Sequence, residues 1–186
     1  MKTKNIYSLP LKEDTVFLAI SDPSAHYSHW KHAIDFSINF NVPILAALDG
    51  EIVDVKDDST EGGNDEKYAD IKYQNYITIK HAHNEFSQYG HIAHKSSLVK
   101  VGDKIKKSDP IAKGIGVVGY TTVPHLHMMV CANKDNKVGF ESLEIQFDQK
   151  INIVRNGKEH LKELAKPKFK HLRELVEKYH SNNQNL

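Results

Sequence analysis

The chain has 186 residues, 39% of them hydrophobic, with 25 lysines and arginines against 24 aspartates and glutamates. That length supports one globular domain with a buried core and a small appendage. Its near-neutrality excludes a global electrostatic attraction to nucleic acid or to an anionic membrane.

Most of residues 15 to 147 reads as short strands broken by turn residues, the pattern of an all-β domain. The candidate strands run from Val16 to Ile20, His32 to Ile38, Pro43 to Ala47, Glu51 to Lys56, Tyr76 to His81, Phe86 to His91, Ile111 to Lys113, Val117 to Tyr120, His125 to Cys131 and Leu143 to Phe147. Asn41-Val42-Pro43, Asp49-Gly50, Gly62-Gly63-Asn64-Asp65, Gly102-Asp103 and Asp109-Pro110 supply the reversals. Asp57 to Asp70, polar and acidic, reads as a mobile loop. After Phe147 the pattern changes. Glu159 to Ala165 is helix-like, and beyond Pro167 the residues Phe169, Leu172, Leu175, Val176 and Tyr179 recur at helical spacing, which predicts a terminal amphipathic helix docked on the β domain. The expected organisation is a β-rich domain over 1–150 and a helical extension over 151–186.

The single cysteine, Cys131, excludes an internal disulfide and reads as a small core residue at the end of an apolar stretch. No stretch approaches the roughly 20 apolar residues of a transmembrane helix. The early run Val16 to Ile20 is too short for the core of a secretory signal peptide. Two locations therefore stay open: cytoplasmic, or secreted, periplasmic or wall-associated if a signal has been removed. Oligomeric state leaves no trace in the sequence.

The chemistry concentrates in Pro124-His125-Leu126-His127-Met128 and in Ser28-His29-Trp30-Lys31-His32-Ala33-Ile34-Asp35-Phe36. On a strand, residues i and i+2 share a face, so His125 and His127 emerge side by side. Asp35 lies between apolar neighbours, where a charge is costly unless it is paired or metal-bound. Imidazoles plus a carboxylate suit Zn²⁺ with a coordination position left open for water. Strand parity favours His29 over His32 as the upstream imidazole, because His32 would face away from Asp35. His91, after Tyr89-Gly90 at the end of a strand, is a further candidate. Of the 12 histidines, His26, His81, His94, His160, His171 and His180 carry no pattern and read as surface residues.

These pieces, with Val42-Pro43-Ile44-Leu45-Ala46-Ala47-Leu48-Asp49-Gly50-Glu51-Ile52-Val53, Tyr89-Gly90-His91-Ile92, Val99 to Lys107 and Gly116 to His127 in the same order, resemble the lysostaphin-type (LytM-like) zinc metallopeptidases over roughly residues 25 to 135. The resemblance implies an antiparallel β-sandwich of the lysostaphin-like, barrel-sandwich hybrid type. It implies one zinc per chain on His29, Asp35 and His127, with His91 and His125 acting on the water or the oxyanion, in either order. It also implies an endopeptidase for bacterial peptidoglycan stem or cross-bridge peptides. Lys31 stands where the commoner family pattern has a histidine, four residues before the aspartate; a subgroup with Ser-His further upstream fits better. Two other readings come with it: a non-catalytic peptidoglycan- or protein-binding module of the same fold, and a biotinyl or lipoyl carrier. The carrier lacks support, since no lysine sits at a hairpin tip in the required setting.

Overall fold

A computed structural model of the protein describes residues 1–121, 123–133 and 140–183. Among these residues the strands are β1 (Lys2–Tyr7), β2 (Leu18–Ile20), β3 (Ile34–Ser37), β4 (Ile44–Leu45), β5 (Gly50–Lys56), β6 (Gly62–Gly63), β7 (Tyr76–Lys80), β8 (Glu85–Gly90), β9 (Lys104–Ile105), β10 (Pro110–Ala112), β11 (Gly119–Tyr120), β12 (Leu126–Asn133), β13 (Phe140–Ser142), β14 (Glu144–Phe147) and β15 (Ile153–Val154). Helices α1 (Gly157–Leu164) and α2 (Lys170–Asn183) follow. No helix among the described residues is long and apolar enough to cross a membrane.

The main sheet runs β15-β2-β3-β12-β8-β7-β5-β9, with β13 also paired to β12. Its central pairings are antiparallel, but β15 joins β2 in parallel, and the small sheets β1-β14 and β11-β6 are parallel as well. The expected fold is therefore corrected in one respect: among the described residues the sheets are mixed rather than strictly antiparallel and do not close into a barrel. The parallel pairs arise where distant segments return to an edge. They lie outside the reach of short hairpin signals, which report only neighbouring strands.

Two adjacent rungs across the sheet explain how it serves both core and site. In one, Ile34, Met128, Tyr89 and Ile77 stand side by side across four strands, all of them buried. In the next, Ile20, Asp35, His127, Gly90 and Tyr76 are partners. Because side chains alternate, Leu126, Met128 and Val130 enter the main core with Ile34 and Phe36, while Asp35 and His127 rise from the opposite face.

The two C-terminal helices close a second apolar cluster against the sheet, in which Leu164, Phe169 and Leu172 meet Leu18, Ile20 and Val154. Asn156 caps α1 by accepting from the Glu159 N–H at 2.9 Å. The helical extension thus docks on the sheet as its apolar stripe requires. Truncation of fully buried Leu172 to alanine removes packing that the helix cannot replace by relaxing, so Leu172→Ala is expected to cost about 2–5 kcal/mol in urea unfolding.

Several expectations about individual residues change. The segment read as a mobile loop, Asp57 to Asp70, holds β6 and a 3₁₀ turn, Glu66–Ala69, capped by Asp65 accepting from Lys67 N–H, and its last residue, Asp70, caps a second turn just beyond it, Ile71–Tyr73, by accepting from Lys72 N–H. His94 is exposed, as expected, but His26 and His81 are buried, and the His180 side chain lies outside those described. Cys131 is half-buried, and burial pushes its thiol up to about 11, away from nucleophile chemistry.

Buried His81 belongs to a neutral polar chain. Its Nδ1–H donates to the Asp49 carbonyl at 2.8 Å, its Nε2 lies 2.8 Å from Ser87 Oγ, and Ser87 reaches the Tyr89 hydroxyl, which accepts from Ala47 N–H. Burial lowers the His81 pKa. A histidine whose folded pKa is depressed binds fewer protons than its unfolded counterpart, so its contribution is present above the unfolded value and is lost as pH falls below about 6.5. His81→Asn is expected to flatten the loss of stability on acidification relative to wild type; equal slopes in urea titrations across that range would contradict this assignment.

Candidate metal centre

The register of β12 against β3 sets His127 directly beside Asp35. His127 Nδ1 lies 2.8 Å from Asp35 Oδ1, and His125 Nε2, one residue before the strand, lies 3.4 Å from the same oxygen. The expected side-by-side pair of imidazoles is thus present on one face. The third imidazole at this carboxylate is His26, whose Nε2 is 3.2 Å from Asp35 Oδ2. Its ring meets that of His127 edge-on, with centroids 5.3 Å apart.

His26, Asp35 and His127 offer two imidazole nitrogens and a carboxylate oxygen, all within 4.8 Å of one another. Of the residues singled out in the sequence, Asp35, His127, His125 and His91 come together. His29 does not: it is exposed, on a 3₁₀ turn at Ser28–Trp30, outside the group. The expectation matched His29 to Asp35 by parity and relied on the loop before the strand to bend His29 inward. The chain instead takes a left-handed conformation at Ser28, φ 52°, and β3 begins only at Ile34. His32 is half-buried, with its backbone N–H on Ser142 Oγ, and is not part of the group either. His26 was legible only through Asp22-Pro23-Ser24. Asp22 accepts from Ser24 N–H and Oγ–H, and its carbonyl takes the His26 N–H at 2.8 Å, closing a turn that carries His26 inward.

His91 reaches the cleft by a different device. Simple alternation after Gly90, the partner of His127, would send His91 to the other face. Its backbone adopts φ 59°, a left-handed conformation uncommon outside glycine, and the ring turns back to lie 4.7 Å from His125, centroid to centroid. Its Nδ1–H donates to the Val118 carbonyl at 2.7 Å, and that of His125 donates to the Val123 carbonyl at 2.7 Å. Carbonyls only accept, so both rings carry the proton on Nδ1 and present Nε2 to the cleft.

The electrostatics suit a cation. Burial opposes the charge on Asp35, but His125, His127 and His26 around it outweigh burial and hold its carboxyl well below the usual range. Burial, with His125 and His127 nearby, pushes His91 down to about 3, so it is neutral. His26 Nδ1, buried, has no hydrogen-bond partner among the described residues. Two imidazoles, one of them with a buried ring nitrogen unpartnered among the described residues, and an ionised carboxylate fit a borderline divalent ion such as zinc.

The donor group stands on one face of a mostly β fold. The chain matches the model of peptidase family M23 over residues 29–138, and it belongs to that family. An uncharacterized metalloprotease from Buchnera aphidicola subsp. Baizongia pistaciae is 35% identical over 128 residues, 69% of this chain and 29% of that protein. The glycyl-glycine endopeptidase ALE-1 of Staphylococcus capitis is 30% identical over 102 residues, 55% of this chain and 25% of that one. The chain thus spans less than a third of the length of these relatives. Among solved structures, lysostaphin from Staphylococcus simulans aligns with TM-score 0.50 at 25% identity, covering 75% of this chain and 52% of that one. The catalytic domain of the prophage-encoded M23 protein EnpA from Enterococcus faecalis aligns with TM-score 0.51 at 23% identity, covering 73% and 92%.

The geometry separates two histidines three residues apart. His26→Ala is expected to abolish stoichiometric zinc uptake, measured by elemental analysis after equilibrium dialysis of untagged protein, while His29→Ala keeps it. Zinc lost in His29→Ala and kept in His26→Ala would reverse the assignment.

Proposed function

We propose that the protein is a zinc-dependent endopeptidase, with zinc held by His26, Asp35 and His127, acting on peptide bonds of bacterial peptidoglycan. The observation that carries the reading is the placement of two further imidazoles, His125 and His91, beside a compact donor group that fits zinc. Zinc bound there would polarise a scissile carbonyl and lower the pKa of water toward about 7.

The chain's own residues supply the remainder. With Nδ1–H committed to backbone carbonyls, His125 and His91 each offer an Nε2 lone pair. His125 can take the proton of the attacking water and then, protonated, donate to the oxyanion or the leaving amine, while His91, kept neutral by burial, accepts a hydrogen bond at Nε2. His125, also 3.4 Å from Asp35, is the better placed of the two to serve as base, with His91 as its partner. Exposed Tyr27, next to His26 in the chain, meets exposed Trp30 edge-on, and exposed Tyr120 precedes Thr121, aromatic surfaces suited to contact with a peptide substrate. The peptidoglycan substrate is supported by relatives named as a glycyl-glycine endopeptidase and as an antimicrobial peptidase.

His91→Ala and His125→Ala are expected to retain zinc and lose turnover by about 10²–10⁴, measured as release of new amino termini from purified peptidoglycan and from glycine-rich cross-bridge peptides. Zinc-loaded wild type that cleaves neither would overturn the substrate; native protein that takes up no zinc would overturn the enzyme and favour a binding module.

A further inference from the structure

Both histidines beside the candidate metal group are held through carbonyls of one short stretch, Val118 and Val123. What holds that stretch is therefore part of the site. Thr121 sits in the middle of it, 2% exposed. Its hydroxyl donates to the Val123 carbonyl at 2.6 Å and lies 3.4 Å from His125 Nδ1. The Val123 carbonyl thus receives two hydrogens, one from Thr121 and one from His125, which fills its two lone pairs.

The neighbouring residue makes this bond consequential. Val123 is followed by Pro124, which has no N–H, so the peptide plane between them cannot be fixed by a hydrogen bond on its nitrogen side. Its carbonyl is the one polar handle, and Thr121 grips it. Thr121 is itself anchored from two directions: its N–H donates to the Gly63 carbonyl at 2.9 Å, and its carbonyl faces the hydroxyl of Tyr179 on α2 at 3.5 Å. The Gly63 side is closely fitted, since a Cβ on Gly62 would lie 2.5 Å from Val118 Cα and 2.6 Å from the Val117 carbonyl.

We infer that Thr121 is a positioning residue for His125, fixing the tautomer and direction of its imidazole through the Val123 carbonyl and tying them to β6 and to the C-terminal helix. For catalysis, the inference rests on the reading of His125 as a catalytic group. Thr121 touches neither metal donor nor substrate; it acts through another residue.

The test compares Thr121→Val, which keeps shape and backbone bonds but loses the hydroxyl, with Thr121→Ser, which keeps the hydroxyl. Thr121→Val is expected to lower kcat by about 10- to 100-fold with KM within about twofold and zinc content unchanged, and Thr121→Ser to stay within about threefold of wild type. If Thr121→Val does not fold, Thr121→Ala is read in its place. Wild-type kcat in the valine variant, or equal impairment in the serine variant, would overturn the inference. A readout independent of turnover is the ¹⁵N pattern of His125, expected to show the Nδ1–H tautomer in wild type and Thr121→Ser and a mixture in Thr121→Val. Should the zinc-loaded wild type hydrolyse nothing, the catalytic reading fails by itself, and an unchanged His125 tautomer in Thr121→Val would sink the positioning role separately.

Discussion

Asp35 keeps an ionised carboxylate on a mid-sheet strand, and its ion-pair partners among the described residues are three imidazoles, with no lysine or arginine. A half-buried carboxylate held ionised by imidazoles alone depends on where those rings are placed, and that dependence organises the working face. It draws His26 in from the loop before β3, fixes His127 across the strand pair and leaves His125 within reach. The same register keeps Ile34, Phe36, Leu126 and Met128 in the core one residue to either side, so the position of the site and the packing of the domain are set by a single alignment of β3 with β12. A slip of one residue there would exchange the two faces entirely.

Around that pair the structure builds outward in layers of decreasing chemical commitment. Imidazoles surround the carboxylate, the backbone carbonyl of 123 holds one of them, His125, and that of 118 holds the adjoining His91, while Thr121 holds the 123 carbonyl and is itself held by β6 and α2. Metal and catalytic sites commonly depend on such outer support, because a ring misdirected by a fraction of an ångström loses its function even when its chemistry is intact.

The sequence was readable where the relevant structure is local and periodic. The His125-x-His127 pair, the apolar setting of Asp35 and the strand rhythm from β2 to β12 all follow from alternation, and the amphipathic stripe from Phe169 predicted the docking of α2. It failed where the backbone leaves a regular path. His26 was passed over for His29 because the loop before β3, with a positive φ at Ser28, turns His26 rather than His29 inward, and turns of that kind are written in no single residue type. β1 escaped notice for another reason. Lys2-Thr3-Lys4-Asn5 looks like a solvated end, yet buried Glu85 receives the N–H groups of Lys4 and Asn5 and the hydroxyl of Tyr7, a set of partners some 80 positions away. The parallel pairs and the capped turns within 65–73 belong with these: each depends on a partner or a dihedral angle that spacing does not encode.

The long reach of these contacts bears on how the protein comes into being. Asp35 and His127 are 92 positions apart, and the bonds that bring β14 onto β1 span 143. At synthesis rates of roughly 5–20 residues per second, roughly 5–20 s separate the appearance of the carboxylate from that of its cross-strand histidine. Through that interval Asp35 and His26 lack their cross-strand histidine, and the donor group is incomplete. The donor group therefore assembles in one late step, together with the tertiary fold, and a nascent chain that has not yet made β12 lacks its cross-strand member.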